Sequence, residues 1–160
     1  MNKTLLTIAI VLLLALLSSA YYTAPADSRI GYRAPSLVLG NNNDLSPLQQ
    51  HRGEMVLLTF WSSADASSRL DNMRYDRLSR QEGTAFIHVS VNLDRSESVF
   101  NGVVDIDNLD RSAHFGTSVA AQKSIIKNWR LDEGYHSFLI DADGKIAAVD
   151  PDEAMLARIK

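Results

Sequence analysis

Leu57-Leu58-Thr59-Phe60-Trp61-Ser62-Ser63-Ala64-Asp65-Ala66-Ser67-Ser68-Arg69 is an apolar strand that breaks, after a tryptophan, into small residues and then opens a helix. A strand-to-helix turn of this kind presents side chains at a helix N-terminus on a rigid scaffold. Asp65 and Ser68 stand at its tip with the spacing of a C-x-x-C pair, but neither is a cysteine.

Met55 to Trp61 is apolar at nearly every position and is bounded by Gly53 and Ser62, the pattern of a strand covered on both faces. Thr84 to Leu93 is a second strand, with Ala85, Ile87, Val89 and Val91 alternating with Phe86, His88, Ser90 and Asn92. Between them, Ser67 to about Gln81 predicts a helix with Leu70, Met73, Tyr75 and Leu78 on a broad apolar arc. Strand, helix, strand at this spacing is a βαβ crossover and implies a parallel pair.

Downstream, Ser96 caps a predicted helix to about Asp107, and Ser118 to Trp129 predicts another. Asn108 to Gly116 reads as irregular, with room for a short strand. Ser137–Asp141 and Lys145–Val149 flank Ala142-Asp143-Gly144, which predicts a β-hairpin. Asp150-Pro151 then opens a last helix, with Pro151 at its first position. Upstream, Ala34 to Leu39 predicts a short strand, Gly40 to Asp44 a turn and Leu45 to Gln50 a helical turn.

The first twenty residues have a different composition. Lys3 is their only charge, Leu5 to Leu17 is almost wholly aliphatic, and Ser18-Ser19-Ala20 supplies small residues. These are the parts of a secretory signal, or of a signal anchor running through Tyr22. Residues 1–20 are therefore expected to be a signal peptide or anchor, 21–33 a linker and 34–160 one domain in the periplasm or otherwise outside the cytoplasm. The membrane anchor, if retained, would be residues 5–22. The formal charge of −3 and the lack of any basic run argue against nucleic acid as a partner. The chain has no cysteine, so it has no disulfide, no thiolate metal site and no thiol chemistry of its own.

Four segments carry a resemblance: Ala34-Pro35 with the apolar run after it, Arg52 to Trp61, Val89-Ser90-Val91-Asn92-Leu93-Asp94, and Phe138 to Ile146. In this order they resemble the exported TlpA/ResA-type thioredoxin-like proteins, related to the AhpC/TSA peroxiredoxin group. The resemblance implies a thioredoxin-like α/β fold, a three-layer α/β/α sandwich with a mixed central sheet and a C-terminal β-hairpin plus helix. It places the family's two redox cysteines at Asp65 and Ser68, and Arg69 matches the basic residue that follows them. The family's cis-proline falls at about Tyr135, where the cost of a non-proline cis bond, about 2.5–4 kcal/mol, predicts a trans peptide.

Thiol–disulfide exchange needs a thiolate to attack and a second to resolve, and neither Asp nor Ser substitutes. The expectation is a redox-inactive module that binds an envelope protein or peptide in the former active-site groove, beside Trp61, Asp65, Ser68, Arg69, Tyr135 and His136. Trp61 and Tyr135 could form an aromatic floor to that groove. The alternatives are a protein acting with a partner's thiol, or a small hydrolase with Ser68 as nucleophile, His136 as base and Asp65 as orienter. Capping offers a simpler role: Ser67 or Ser68 as N-cap, with Asp65 adding charge near the helix end. No cofactor is expected. His88 reads as a buried or half-exposed strand residue, and His51 and His114 as loop residues. Without paired spacing they suggest no metal site. Asp105, Asp107 and Asp110 read as a solvated acidic loop.

Overall fold

The computed structural model describes residues 27–40 and 46–159. The expected signal segment, the linker before residue 27 and the turn at 41–44 lie outside the described residues. Five strands form one sheet in the order β3-β2-β1-β4-β5. They are β1 (Val56–Trp61), β2 (Ile87–Asn92), β3 (His114–Gly116), β4 (Ser137–Ile140) and β5 (Ile146–Val149). The first three run parallel, β4 is antiparallel to β1, and β5 is antiparallel to β4. The helices are α1 (Pro47–Gln50), α2 (Ala66–Ser79), α3 (Glu97–Ile106), α4 (Val119–Trp129) and α5 (Glu153–Leu156).

The alternation of β1 sorts the core into layers. Val56, Leu58 and Phe60 face one way and pack with Ile125 and Trp129 of α4. Leu57 faces the other way, with Tyr75 of α2 and Leu156 of α5, and Trp61 packs there with Phe100 and Val104 of α3. Every residue of β1 is buried, as its unbroken apolar run requires. The result is the three-layer α/β/α sandwich with a mixed sheet.

Several local expectations are corrected. Ala34 to Leu39 forms no ladder: one bridge joins Arg33 to Lys145, and Pro35 beyond it has no N–H to extend the pairing. Leu37 is nonetheless buried against the sheet. On α2, Leu70 is 57% and Met73 36% exposed, while Asn72 and Asp76 are fully enclosed. The helix turns a polar side inward because the strands beneath it carry His88, Ser90 and His114. His114 lies on β3 and not in a loop. The last helix is capped by Asp152, which accepts from Met155 N at 2.7 Å, so Pro151 precedes the cap.

Candidate functional site

The chain leaves β1 at Trp61 and is held at once by the exit of β2. Ser62 Oγ donates to Asp94 Oδ1 at 2.6 Å, Ser63 N donates to the same carboxylate at 3.0 Å, and Asn92 Nδ2 reaches Oδ2 at 3.0 Å. Burial works to raise the Asp94 carboxyl, but these hydrogen bonds together outweigh it and hold the group below the ordinary carboxylate range. Asp94 therefore stays ionised and anchors the loop.

Asp65 is the N-cap of α2. Its Oδ1 accepts from Ser68 N at 2.7 Å, and this hydrogen bonding to Ser68 lowers its pKa. The cap is thus Asp65 and not Ser67 or Ser68. Ser68 is enclosed at 7% exposure, its hydroxyl donating to Asp65 O at 3.3 Å and accepting from Ser62 N at 3.4 Å. Arg69 forms a two-pronged pair with Asp107 at 2.6 and 2.7 Å, pinning α2 to the end of α3. The acidic loop is accordingly bonded: Asp105 pairs with Arg111, and Asp110 Oδ1 accepts from Ser112 N and Oγ.

The loop before β4 reaches the same end of the sheet, since Phe60 N donates to His136 O at 3.1 Å. The described peptide bonds, including the one before Tyr135, are all trans. His136 Nδ1 lies 2.7 Å from Asp150 Oδ2, and Ser137 N donates to Asp150 Oδ1 at 2.8 Å. A Ser68–His136–Asp65 relay is not assembled: Asp150 is the partner of the histidine, Asp65 is committed to the helix cap, and among the described residues no hydrogen bond joins Ser68 to His136.

Trp61 and Tyr135 do not form an aromatic floor. Trp61 is 0% exposed and packs with Phe100 and Val104, whereas Tyr135 packs on the opposite face with the Phe60 cluster. The open part of the predicted groove is left to Asp65, Arg69, Tyr135 and His136, each partly exposed.

Beneath α2 lies a buried polar seam that sequence spacing did not reveal. Trp61 Nε1 donates to Ser90 Oγ at 2.8 Å, and Ser90 Oγ donates to Asn72 Oδ1 at 2.6 Å. Asn72 Nδ2 is 3.1 Å from His114 Nε2, and His114 Nδ1 is 2.7 Å from Asp110 O. A carbonyl can only accept, so His114 carries its proton on Nδ1 and receives the Asn72 amide on Nε2. Asp76 accepts from Arg80 and from Asp110 N. His88 is bonded through Nε2 to Thr59 Oγ1 at 3.2 Å, while its Nδ1 has no partner among the described residues. Burial, reinforced by the neighbouring His114, pushes His88 down to about 3, and burial also lowers His114.

Asp76, His88 and His114 bring one ligand-capable atom each to within 4.8 Å of one another. Both nitrogens of His114 and the Asp76 carboxylate are already committed, the latter to a guanidinium. A cation would have to break those bonds in a buried site, so the donor set suits a hydrogen-bonded seam better than a metal centre. The signal that could have exposed it is inward polarity: Asn72 and Asp76 at i, i+4 on α2, opposite His88 and Ser90 on the inward register of β2.

Neither a family model nor a curated protein matches the chain. Solved structures do. A thioredoxin-like protein from Parabacteroides distasonis is 27% identical with a TM-score of 0.71, covering 84% of this chain and 96% of that one. The thioredoxin domain of a thiol-disulfide oxidoreductase from Bacteroides vulgatus is 21% identical with a TM-score of 0.66, covering 80% and 92%. A thiol-disulfide oxidoreductase from Bacteroides fragilis is 22% identical with a TM-score of 0.60, covering 78% and 94%. By its fold and by these likenesses, the chain belongs to the thioredoxin-like superfamily.

Proposed function

We propose that the chain is a redox-inactive member of its superfamily, of the exported TlpA/ResA type, that binds a protein or peptide segment of the cell envelope at the former active-site end of its sheet. One observation carries this reading. The two positions where the family's thiols would stand are Asp65 and Ser68, both are engaged in building the start of α2, and the chain has no cysteine elsewhere. Without a thiolate no mixed disulfide forms, and neither side chain takes over that chemistry. What remains at this end is a rigid surface of Asp65, Tyr135 and His136, with Asp150 fixing the imidazole through Nδ1 and leaving Nε2 for a partner's donor or acceptor.

The test is a pair of measurements on the full chain. In insulin reduction with dithiothreitol, the chain should leave the rate at the uncatalysed background; turnover above it overturns the redox-inactive reading. Photo-crosslinking from position 135 in an envelope extract should then capture a partner that Asp65→Arg and Tyr135→Ala both lose. If both variants keep every captured protein, this end is not the site. The relatives named as thiol-disulfide oxidoreductases motivate a second reading, in which the chain serves a partner's thiol. That reading predicts turnover only when a thiol protein is added.

A further inference from the structure

We propose that Asp150 is the positioning residue of the former active-site end: it holds His136 as the Nδ1–H tautomer, so that Nε2 offers a lone pair to an N–H or O–H donor of the bound segment. The assignment rests on the binding function proposed above and narrows it to one hydrogen-bond polarity. The backbone at this position is the first sign. Among the described residues three other than glycine have positive φ: Asn108, Arg130 and Asp150. Asparagine tolerates that conformation, and Arg130 closes the end of α4, where a left-handed residue is common. Asp150, at φ 48°, follows the last residue of β5 and precedes Pro151, whose ring narrows the choices of the residue before it. A glycine would make this turn without strain. Strain of this kind persists where neighbouring bonds over-determine it, and here they come from the aspartate itself. Asp150 N donates to Ser137 O at 2.7 Å, but Ser137 N donates in return to the carboxylate, Oδ1 at 2.8 Å, and not to the Asp150 carbonyl. Oδ2 is left 2.7 Å from His136 Nδ1. Tyr75 Oη donates to Pro151 O at 2.9 Å and ties the turn to α2.

A carboxylate oxygen only accepts, so the imidazole proton lies on Nδ1 and the lone pair on Nε2. Nε2 makes no hydrogen bond among the described residues, and the His136 side chain is 36% exposed. The ring also lies edge-on to Phe138, with 6.4 Å between centroids, which limits its rotation. A segment seated here gains a hydrogen bond by presenting a peptide N–H, a hydroxyl or an amide NH2. A carbonyl or carboxylate oxygen in the same place would set lone pair against lone pair. Asp150→Asn reverses this polarity at nearly constant shape. The amide oxygen is required by Ser137 N, so the amide NH2 faces His136; Nδ1 must then accept, and the proton moves to Nε2.

The ¹⁵N chemical shifts of the His136 imidazole, read on the full chain at mildly alkaline pH, report the tautomer directly. The expected result is Nδ1–H in the unaltered chain and Nε2–H in Asp150→Asn. Photo-crosslinking from position 135 in an envelope extract should capture roughly tenfold less partner, or lower still, in Asp150→Asn than in the unaltered chain. Asp150→Gly takes the turn without strain but frees the ring, and should also lose capture. Thermal melting of both variants separates lost binding from lost folding. A role confined to ending β5 predicts the same His136 tautomer in Asp150→Asn as in the unaltered chain. That result, Nε2–H in the unaltered chain, or undiminished capture in both folded variants would overturn the proposal. Asp65→Arg and Tyr135→Ala tell the two readings apart. Capture lost in those variants but kept in Asp150→Asn overturns the donor assignment alone, whereas capture kept in all of them sinks the binding site as well.

Discussion

Asp65 closes the first turn of α2 with its own side chain. It occupies the tip of the strand-to-helix turn, and its carboxylate is spent on Ser68 N at 2.7 Å. The spacing of Asp65 and Ser68 was legible from sequence, but the choice of cap was not. Ser67, Ser68 and Asp65 are all good capping residues, and only the path of the chain out of β1, fixed by Ser62 and Ser63 on Asp94, decides which one enters the helix in extended conformation. The hydrogen bond can be separated from the charge. Asp65→Ala should cost about 1 kcal/mol of stability, as lost N-caps do, whereas Asp65→Asn should retain most of it. Urea denaturation of the three proteins checks this. An Asn variant as weak as the Ala variant would mean that charge at the helix end, and not the cap bond, is what matters.

The elements differ in how plainly they declare themselves. β1 and β2 were readable because an apolar run between turn residues has few other uses. α2 was readable as a helix but not in its facing, because burying Asn72 and Asp76 runs against the rule that apolar residues go inside. Polar partners make that orientation favourable: Ser90 of β2 and His114 of β3 for Asn72, and Arg80 with the Asp110 amide of the turn before β3 for Asp76. Burial of two histidines beneath α2 creates a pH dependence with a definite sign. His88 has a folded pKa of about 3 and an ordinary value of 6.5, and His114 is lowered in the same direction. Between those values the unfolded chain binds protons that the folded chain refuses, so stability is full above the ordinary value and is lost as pH falls toward the folded one. For His88 the slope approaches about 1.4 kcal/mol per pH unit, and His114 adds to it with the same sign. Asp65, Asp94 and Asp110, lowered from 3.8, contribute in the same direction but only at lower pH. Comparing urea midpoints at pH 7 and pH 5 isolates the histidines. His88→Leu should lose distinctly less stability over that interval than the unaltered chain; an equal loss would place the sensitivity elsewhere.

The fold taken as a unit was more legible than the site, because layer order follows from the sequence of strands and helices while a site depends on which side chains converge. The groove named from sequence included Trp61 and Ser68, and both are enclosed; the histidines dismissed as scattered include two that meet beneath α2. The segment before α1 bears on how the chain coheres. It is outside the sheet ladder, yet Gly31 N and Ala34 N donate to Ile146 O and Gly144 O, Ile146 N returns a bond to Tyr32 O, and Leu37 lies 1% exposed within the main core. If this segment belongs to the same cooperative structure, truncating Leu37 should act like truncating a central strand residue. Leu37→Ala is expected to cost about 2–5 kcal/mol, the range for a buried Leu, with an unchanged urea m-value and a single transition. Hydrogen exchange supplies the decisive comparison. In the unaltered chain the Ile146 amide, whose acceptor is Tyr32 O, should exchange with protection close to that of Val89 in the central strand, and Leu37→Ala should lower both together. Loss of protection at Ile146 with Val89 unchanged would mean that the segment detaches on its own, as a strap over the hairpin and not as part of the core.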